Sequence, residues 1–503
     1  MVLRVAQLNG RIMTKVPPGQ PLTLFNSLSR SVETFVPIDP AMARVYSCGP
    51  TVYHYAHLGN LRAYIFTDIL RRALAWKGWP VTHVINITDV GHLTSDADEG
   101  DDKMEAAAKK SGRTIWDIAA FYTAAFKSDI ARLNIIDPSR WSVATDHIAE
   151  MIDFAKLVEA HGAAYQLDTG LYFDVTRVPD YGRLAGAAPD EDGHGRISEV
   201  EGKRHPADFA LWRRSPPDEQ RQMEWESPWG KGAPGWHLEC SVMSMKYLGA
   251  QFDIHTGGID HREIHHCNEI AQNQAYTGSS QTGANFWMHN NFLVDRSGKM
   301  SKSKGGITTL NALIDRGVHP LAYRLLCLTA HYRSELEFSS ESIAAASTRL
   351  KRIVIAVGKA KAVAQAATWP PYGPWTSAGS SLLTTFDEKI SADLMTPAAL
   401  PVLEDLLANK QVDADTKLRL VATMDQLLGL RLLDLDRSEL RVRPADAAID
   451  EDEIETELDR RQSARADKNF ALSDQIRHDL AEKGVEVMDG DTLRWDWKLT
   501  LDG

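Results

Sequence analysis

From Ala43 the chain switches between apolar patterns at short intervals. "ARVYSC" (43–48) is a short apolar run that reads as a buried strand, and "GPTVYHYAHLG" (49–59) is a turn-rich connection. "NLRAYIFTDILRRALAWKG" (60–78) reads as a helix closed by Gly78 and Pro80. "VTHVINIT" (81–88) is then a β-branched strand. A strand, helix and strand in this order predict a parallel pair joined by a right-handed crossover.

The expected fold class is therefore α/β, with a Rossmann-like parallel sheet. Between about 170 and 234 a stretch rich in Pro, Gly and charge interrupts the pattern and reads as an insertion. Strand-like "QFDIHTGG" and a helix bearing "HHCNEIAQNQAY" resume it, so the α/β domain is expected to span 21–310. The chain then becomes helical over 311–380, where "TWPPYGPWTSAGS" (368–380) is a linker by composition. A helical bundle is expected over 381–450, followed by the acidic run "DEDEIETELD" and a last small module at 455–503. Residues 1–20 are expected to be a disordered N-terminal extension. No internal repeat is visible.

At 503 residues the chain is too long for one core. It contains no apolar run of about 18 residues, so no membrane span is expected. The first twenty residues lack the apolar segment of a secretory signal, and a cytoplasmic location is expected. Four scattered cysteines (Cys48, Cys240, Cys267, Cys327) do not make a disulfide framework; reduced, metal-bound or buried thiols are expected. The net charge of −12 argues mildly against a nucleic-acid partner, although local basic patches matter more than the total.

Two motifs change that picture. "YAHLGN" (55–60) lies between a strand and a helix, where free backbone N–H groups attract phosphate; His57 can donate to a phosphate oxygen, and Gly59 admits close approach. "SGKMSKSKGG" (297–306) clusters lysines between glycines, a cationic loop suited to polyphosphate, yet it lacks the Walker A spacing. "HLGN" early and "KMSKS" late in one α/β chain resemble the paired signatures of the class I aminoacyl-tRNA synthetases. "YSCGPTVYHYAHLGN", "INITDV", "SPWGKGAPGWHLECS" and "HTGGIDHREIHHCNEIAQ" narrow the resemblance to the cysteinyl-tRNA synthetase family, from about Pro21 to Trp495.

"IHHCNEI" (264–270) offers two histidines, a cysteine and a glutamate. On a helix His265 and Glu269 share a face, whereas Cys267 turns about 160° away from Glu269. One face thus supplies two ligands, and zinc needs two more. Cys48, at the end of the first strand, and Cys240, in "WHLECS", lie where strand ends and helices of such a sheet converge. The resemblance implies the ligand set Cys48, Cys240, His265 and Glu269, holding one Zn²⁺ per chain. Cys267 stands where the family commonly has glutamate and is expected to pack. A centre with two thiolates and a carboxylate is a poor source of hydroxide and suits a soft fifth ligand, a substrate thiol.

The resemblance further implies a ligase that activates L-cysteine with ATP and Mg²⁺ and transfers it to tRNA(Cys). It assigns His57, Asn60, Lys299 and Lys302 to catalysis, and His57, Gly59, Asn60, Gly257, Gly258 and Lys302 to ATP. Thr51, Thr88, Trp236 and Asp260 match residues around the bound amino acid, Asp260 facing its ammonium group. Two departures are Asn60, where the family signature ends in histidine, and His54, where acidic residues are common. The 311–380 region would contact the acceptor stem and the 455–503 module the anticodon, through Arg460, Arg461, Arg465 and Lys468. A second basic helix carries Arg349, Lys351, Arg352, Lys359 and Lys361. A monomer is expected. Rival readings are a ligase joining cysteine to an amino sugar, and a non-enzymatic RNA-binding or zinc-stabilised protein.

Overall fold

The computed structural model describes residues 6–8, 11–13, 19–90, 108, 112–186, 200–216, 221–295, 298–299, 308–371, 375–491 and 493–499. Its centre is a five-stranded sheet of β1 (Ala43–Ser47), β2 (Val81–Ile87), β3 (Arg140–Val143), β4 (Phe252–Gly258) and β5 (Ala284–Asn290). The spatial order is β5-β4-β1-β2-β3 and every pairing is parallel. Strand order reverses between β1 and β4, and a sheet of this kind opens a crevice beyond the carboxyl ends of its strands at that point.

Alternation along the strands feeds two cores. Val45, Ile85, Ile254 and Met288 face one core, with helix α1 (Leu58–Trp76) and the helices that follow residue 310. Tyr46, Val84, His255 and Trp287 face the other side, with α3 (Trp236–Leu248), α4 (His265–Thr277) and Ile148–Ala160. Helix α2 (Ile115–Arg132) packs in the first core through Ile115, Ile118 and Phe126. The segment between β3 and α3 contains a four-stranded antiparallel sheet of Ala164–Leu167, Gly170–Phe173, Phe209–Arg214 and Gly232–Pro234.

Past residue 310 the helices Ser340–Val363, Ser377–Ser391, Thr396–Ala408 and Ala414–Leu428 continue the first core. Thr376 caps Ser377–Ser391, so the last four residues of the Pro-rich stretch are helical. The final unit has its own core of Ile449, Ile454, Leu458, Ile476, Leu480, Trp495 and Trp497, between two helices and a hairpin. Near the N-terminus Ala6–Leu8 and Arg11–Met13 pair antiparallel, where the sequence reads as disordered. The Asn9-Gly10 dipeptide between them is the hairpin signal in that stretch. Among the described residues no helix is long and apolar enough to cross a membrane.

Candidate active site and metal centre

The crevice at the β1/β4 switch point is a cleft of about 300 Å³, lined by Cys48, Thr51, His57, Gly59, Asn60, Thr88, Trp236, Cys240, Gly257, Gly258, Asp260 and His265 among others. It thus gathers eleven of the sequence-derived site residues besides Asn60. Glu269 lies just behind, fully buried. Lys299 enters the picture only through its backbone, paired with Val294 in a hairpin beside the cleft; Lys302 lies outside the described residues. The segment after that loop is pinned to the first motif, because Leu58 N–H donates to Thr308 C=O at 2.8 Å and His57 bridges Thr309.

The start of α1 is a capping box. His57 Nδ1 accepts from Asn60 N–H (3.1 Å) and Asn60 Oδ1 accepts from His57 N–H (3.2 Å). An accepting Nδ1 leaves the ring proton on Nε2, so His57 is a neutral donor at a helix N-terminus. Asn60 performs the reciprocal half of the cap, which is a physical reason for an amide at this position. Gly257 has a packing reason that sequence alone did not supply: a Cβ there would lie 2.7 Å from His266 Cε1 and 3.0 Å from His261 Nδ1.

Three elements bring the candidate metal ligands together. Cys48 continues β1 and donates its N–H to Thr256 C=O on β4 (3.1 Å). Cys240 sits in the second turn of α3, and His265 and Glu269 occupy successive turns of α4. Gln272 on α4 ties the two helices, donating to His237 C=O (2.9 Å) and Ser241 Oγ (3.2 Å). The ligand atoms of Cys48, Cys240, His265 and Glu269 all lie within 4.8 Å of one another. His265 Nε2 is 3.0 Å from Glu269 Oε1, and its Nδ1 is 2.9 Å from His237 Nδ1.

The electrostatics of this cluster match a cation-binding set. A hydrogen bond with Cys48 brings the Cys240 thiol down to about 6, while burial and Cys240 push Cys48 well up. Burial disfavours charge on Glu269, but His255 and His265 outweigh it and bring the carboxyl down to about 2. Burial likewise opposes the His265 imidazolium, and Glu269 and Cys240 overcome it, holding the ring proton up to about 10. Glu269 Oε1 is buried yet accepts no well-aligned hydrogen bond, as expected of an oxygen aimed at a cation. The residues present therefore fit a divalent metal that displaces these protons.

A second set, Cys48, His255, His266 and Glu269, meets the same distance condition. His255 Nε2 is 2.9 Å from Glu269 Oε2, and His266 Nε2 is 3.3 Å from Cys48 Sγ. His266 Nδ1 meets His289 Nε2 (2.8 Å), and His289 Nδ1 meets Ser27 Oγ (2.8 Å). Neither His255 nor His266 lines the cleft, whereas Cys240 and His265 do, so the first set is the one a substrate can reach. Sequence reasoning missed this histidine layer; the histidine in "HTGG" was the available signal. Cys267 belongs to neither set, and its Sγ donates to Arg262 C=O (3.3 Å).

The remaining predicted residues lie elsewhere. Arg461 makes a two-pronged pair with Asp489 (2.8 and 2.9 Å), which Arg465 joins at 2.9 Å. Arg460 lies 3.3 Å from Glu457, and Lys468 is exposed in the turn after the helix, at φ 61°. Within the other basic helix, Arg349 pairs with Glu404 and Lys351 with Asp496.

Comparison with known proteins places the chain in a family. Residues 34–348 match the family model for the tRNA synthetases class I (C) catalytic domain. The chain is 61% identical to the cysteine–tRNA ligase of Zymomonas mobilis, covering 96% of this chain and 98% of the relative. It is 59% identical to that of Novosphingobium aromaticivorans, with the same coverages. Among solved structures, methionyl-tRNA synthetase of Mycobacterium tuberculosis superposes with a TM-score of 0.51 at 15% identity, over 78% of this chain and 89% of that one, a likeness of fold. With a crevice shaped as the motifs require and near-full-length relatives of one name, the chain belongs to the cysteine–tRNA ligase family of class I aminoacyl-tRNA synthetases.

Proposed function

We propose that the protein activates L-cysteine with ATP, forming cysteinyl-adenylate and pyrophosphate, and then transfers the cysteinyl group to the 3′-terminal adenosine of tRNA(Cys). The observation that carries the reading is the opening of the thiol-rich ligand set onto the same cleft as the His57–Asn60 helix cap. In the first step the substrate carboxylate attacks the α-phosphate in line and pyrophosphate leaves. No side chain serves as nucleophile, so catalysis consists of positioning and of charge stabilisation at the phosphates. His57 Nε2–H and the N-terminal amides of α1 face that charge, Lys302 of the loop supplies the cation, and Gly257 and Gly258 flank the nucleotide. In the second step the terminal ribose hydroxyl attacks the mixed anhydride and AMP leaves.

Cys48, Cys240, His265 and Glu269 would hold zinc, whose chemistry here is to offer a soft position that takes a thiol in preference to a hydroxyl. An apolar pocket alone separates an amino acid from its hydroxyl analogue by only about a hundredfold. Asp260 receives the ammonium group. Trp236, whose ring lies 4.3 Å from that of His265, closes one wall of the amino-acid pocket, and Thr51 and Thr88 bridge to form its floor. Mg²⁺ accompanies ATP. Cysteine-dependent ATP–pyrophosphate exchange, followed by charging of tRNA against an amino sugar as acceptor, tests the reading. Exchange with tRNA charging supports it, and exchange with transfer only to the sugar contradicts it.

A further inference from the structure

We propose that an aromatic shelf at the mouth of the cleft, built from His54, Tyr55, Phe121 and Tyr122, stacks the unpaired bases of the tRNA 3′ strand as it enters. The inference rests on the ligase reading and names a surface which that reading leaves unassigned. His54 and Tyr55 lie in the connection between β1 and α1, and Phe121 and Tyr122 on α2. The His54 ring stacks on Tyr122 (6.0 Å, 4° between planes). Tyr55 meets Tyr122 edge-on at 5.1 Å and Phe121 at 6.0 Å, and Phe121 meets Tyr122 at 5.1 Å.

The cluster spans the boundary between cleft and surface. His54, Tyr55 and Tyr122 line the cleft, whereas Phe121 is 43% exposed. Phe126, five residues further along α2, is buried against Tyr64 (4.8 Å) and anchors the helix to α1. Phe121 thus presents part of its ring to solvent at the edge of an aromatic cluster that continues into the cleft. Rings that can take a base on a free face suit single-stranded nucleic acid of any sequence. The Arg113 guanidinium lies 5.5 Å from the Phe121 ring centre, placing a cation where a phosphate would follow a stacked base. The occupant follows from continuity: the ribose that accepts the cysteinyl group must reach the cleft, and its strand must cross this mouth.

The test uses the full-length protein with intact tRNA(Cys) and with the same tRNA lacking its last three nucleotides. Phe121→Ala should leave cysteine-dependent pyrophosphate exchange unchanged. It should weaken binding of intact tRNA, and raise the KM for charging, by about tenfold, the effect of one lost stacking contact. It should leave binding of the shortened tRNA unaltered, and Phe121→Trp should restore the wild-type values. Unchanged binding of intact tRNA in Phe121→Ala overturns the shelf, as does an equal loss for both tRNAs. A change of oligomeric state in that variant would assign the patch to a second copy of the chain and also overturn it. Absence of exchange in the wild-type protein would instead strike the ligase reading itself.

Discussion

Removing the Asp68 carboxylate should destabilise the protein far more than its position, away from the cleft lining, suggests. Asp68 lies on α1 with no exposed side-chain surface and accepts from Arg72 Nε (2.7 Å), Arg324 Nη2 (2.6 Å) and Ile136 N–H (3.0 Å). Arg324 also donates to Leu428 and Leu133 carbonyls, and Arg72 to that of Gln426, so Asp68 is the carboxylate directly bonded to the cations that tie α1 to the helical bundle. In Asp68→Ala both guanidiniums stay buried, 0% and 7% exposed, lose the carboxylate they bond directly and keep only the charge of Asp425 nearby. Stranding a buried charge costs about 3–5 kcal/mol, a large share of a domain's net stability of about 5–15 kcal/mol.

Urea unfolding followed by tryptophan fluorescence measures that loss, and Arg324→Met in the Asp68→Ala background should recover part of it by removing one stranded charge. Its pH dependence has a definite sign. Burial opposes ionisation of Asp68, but Arg72 and Arg324 outweigh it and hold its pKa below the ordinary value. A carboxyl with a depressed folded pKa contributes fully above its unfolded pKa of about 3.9, and the contribution is lost as pH falls through the folded value. The deficit of Asp68→Ala should thus be complete at pH 7 and shrink below about pH 4. A loss under about 1 kcal/mol at pH 7, the range of an exposed pair, would refute the reasoning.

Other perturbations separate the parts of the account. Lys302→Ala should slow adenylate formation about a hundredfold, ~3 kcal/mol, with little change in cysteine affinity, and an unchanged single-turnover rate would remove it from the mechanism. Deleting residues 448–503, which takes away the complete core of the last module, should spare pyrophosphate exchange and sharply reduce tRNA charging; equal loss of both would point to a folding role. Cys267→Ser should retain one zinc per chain by metal analysis, since its sulfur faces Arg262 C=O, whereas His265→Ala should lose the metal or its discrimination between cysteine and serine.

What could be read from the sequence follows from the range over which each signal acts. The parallel sheet was legible because β1, α1 and β2 are consecutive, each with its own apolar period. The shared face of His265 and Glu269 was legible for the same reason, four residues apart on one helix. Cys48 and Cys240 came from family resemblance, since no local pattern says that α3 begins beside the end of β1. His255, in "HTGG", and His289 lie in separate strands with no local sign of their partners, and only the fold brings both against His266. Arg461 illustrates the converse: a basic helix reads as a nucleic-acid surface until Asp489, 28 residues on, folds back against it. The Asp68–Arg324 pair spans 256 residues and has no sequence signal at all.

The central claim is that Cys48, Cys240, His265 and Glu269 hold a zinc ion that takes the substrate thiol. X-ray absorption at the zinc edge, on the purified protein without and with cysteine, addresses it most directly. Two sulfurs at about 2.3 Å in the free protein, becoming three with cysteine and remaining two with serine, is the predicted result. One sulfur in the free protein would move the metal to the His255–His266 set, and a count that cysteine does not change would contradict the claim.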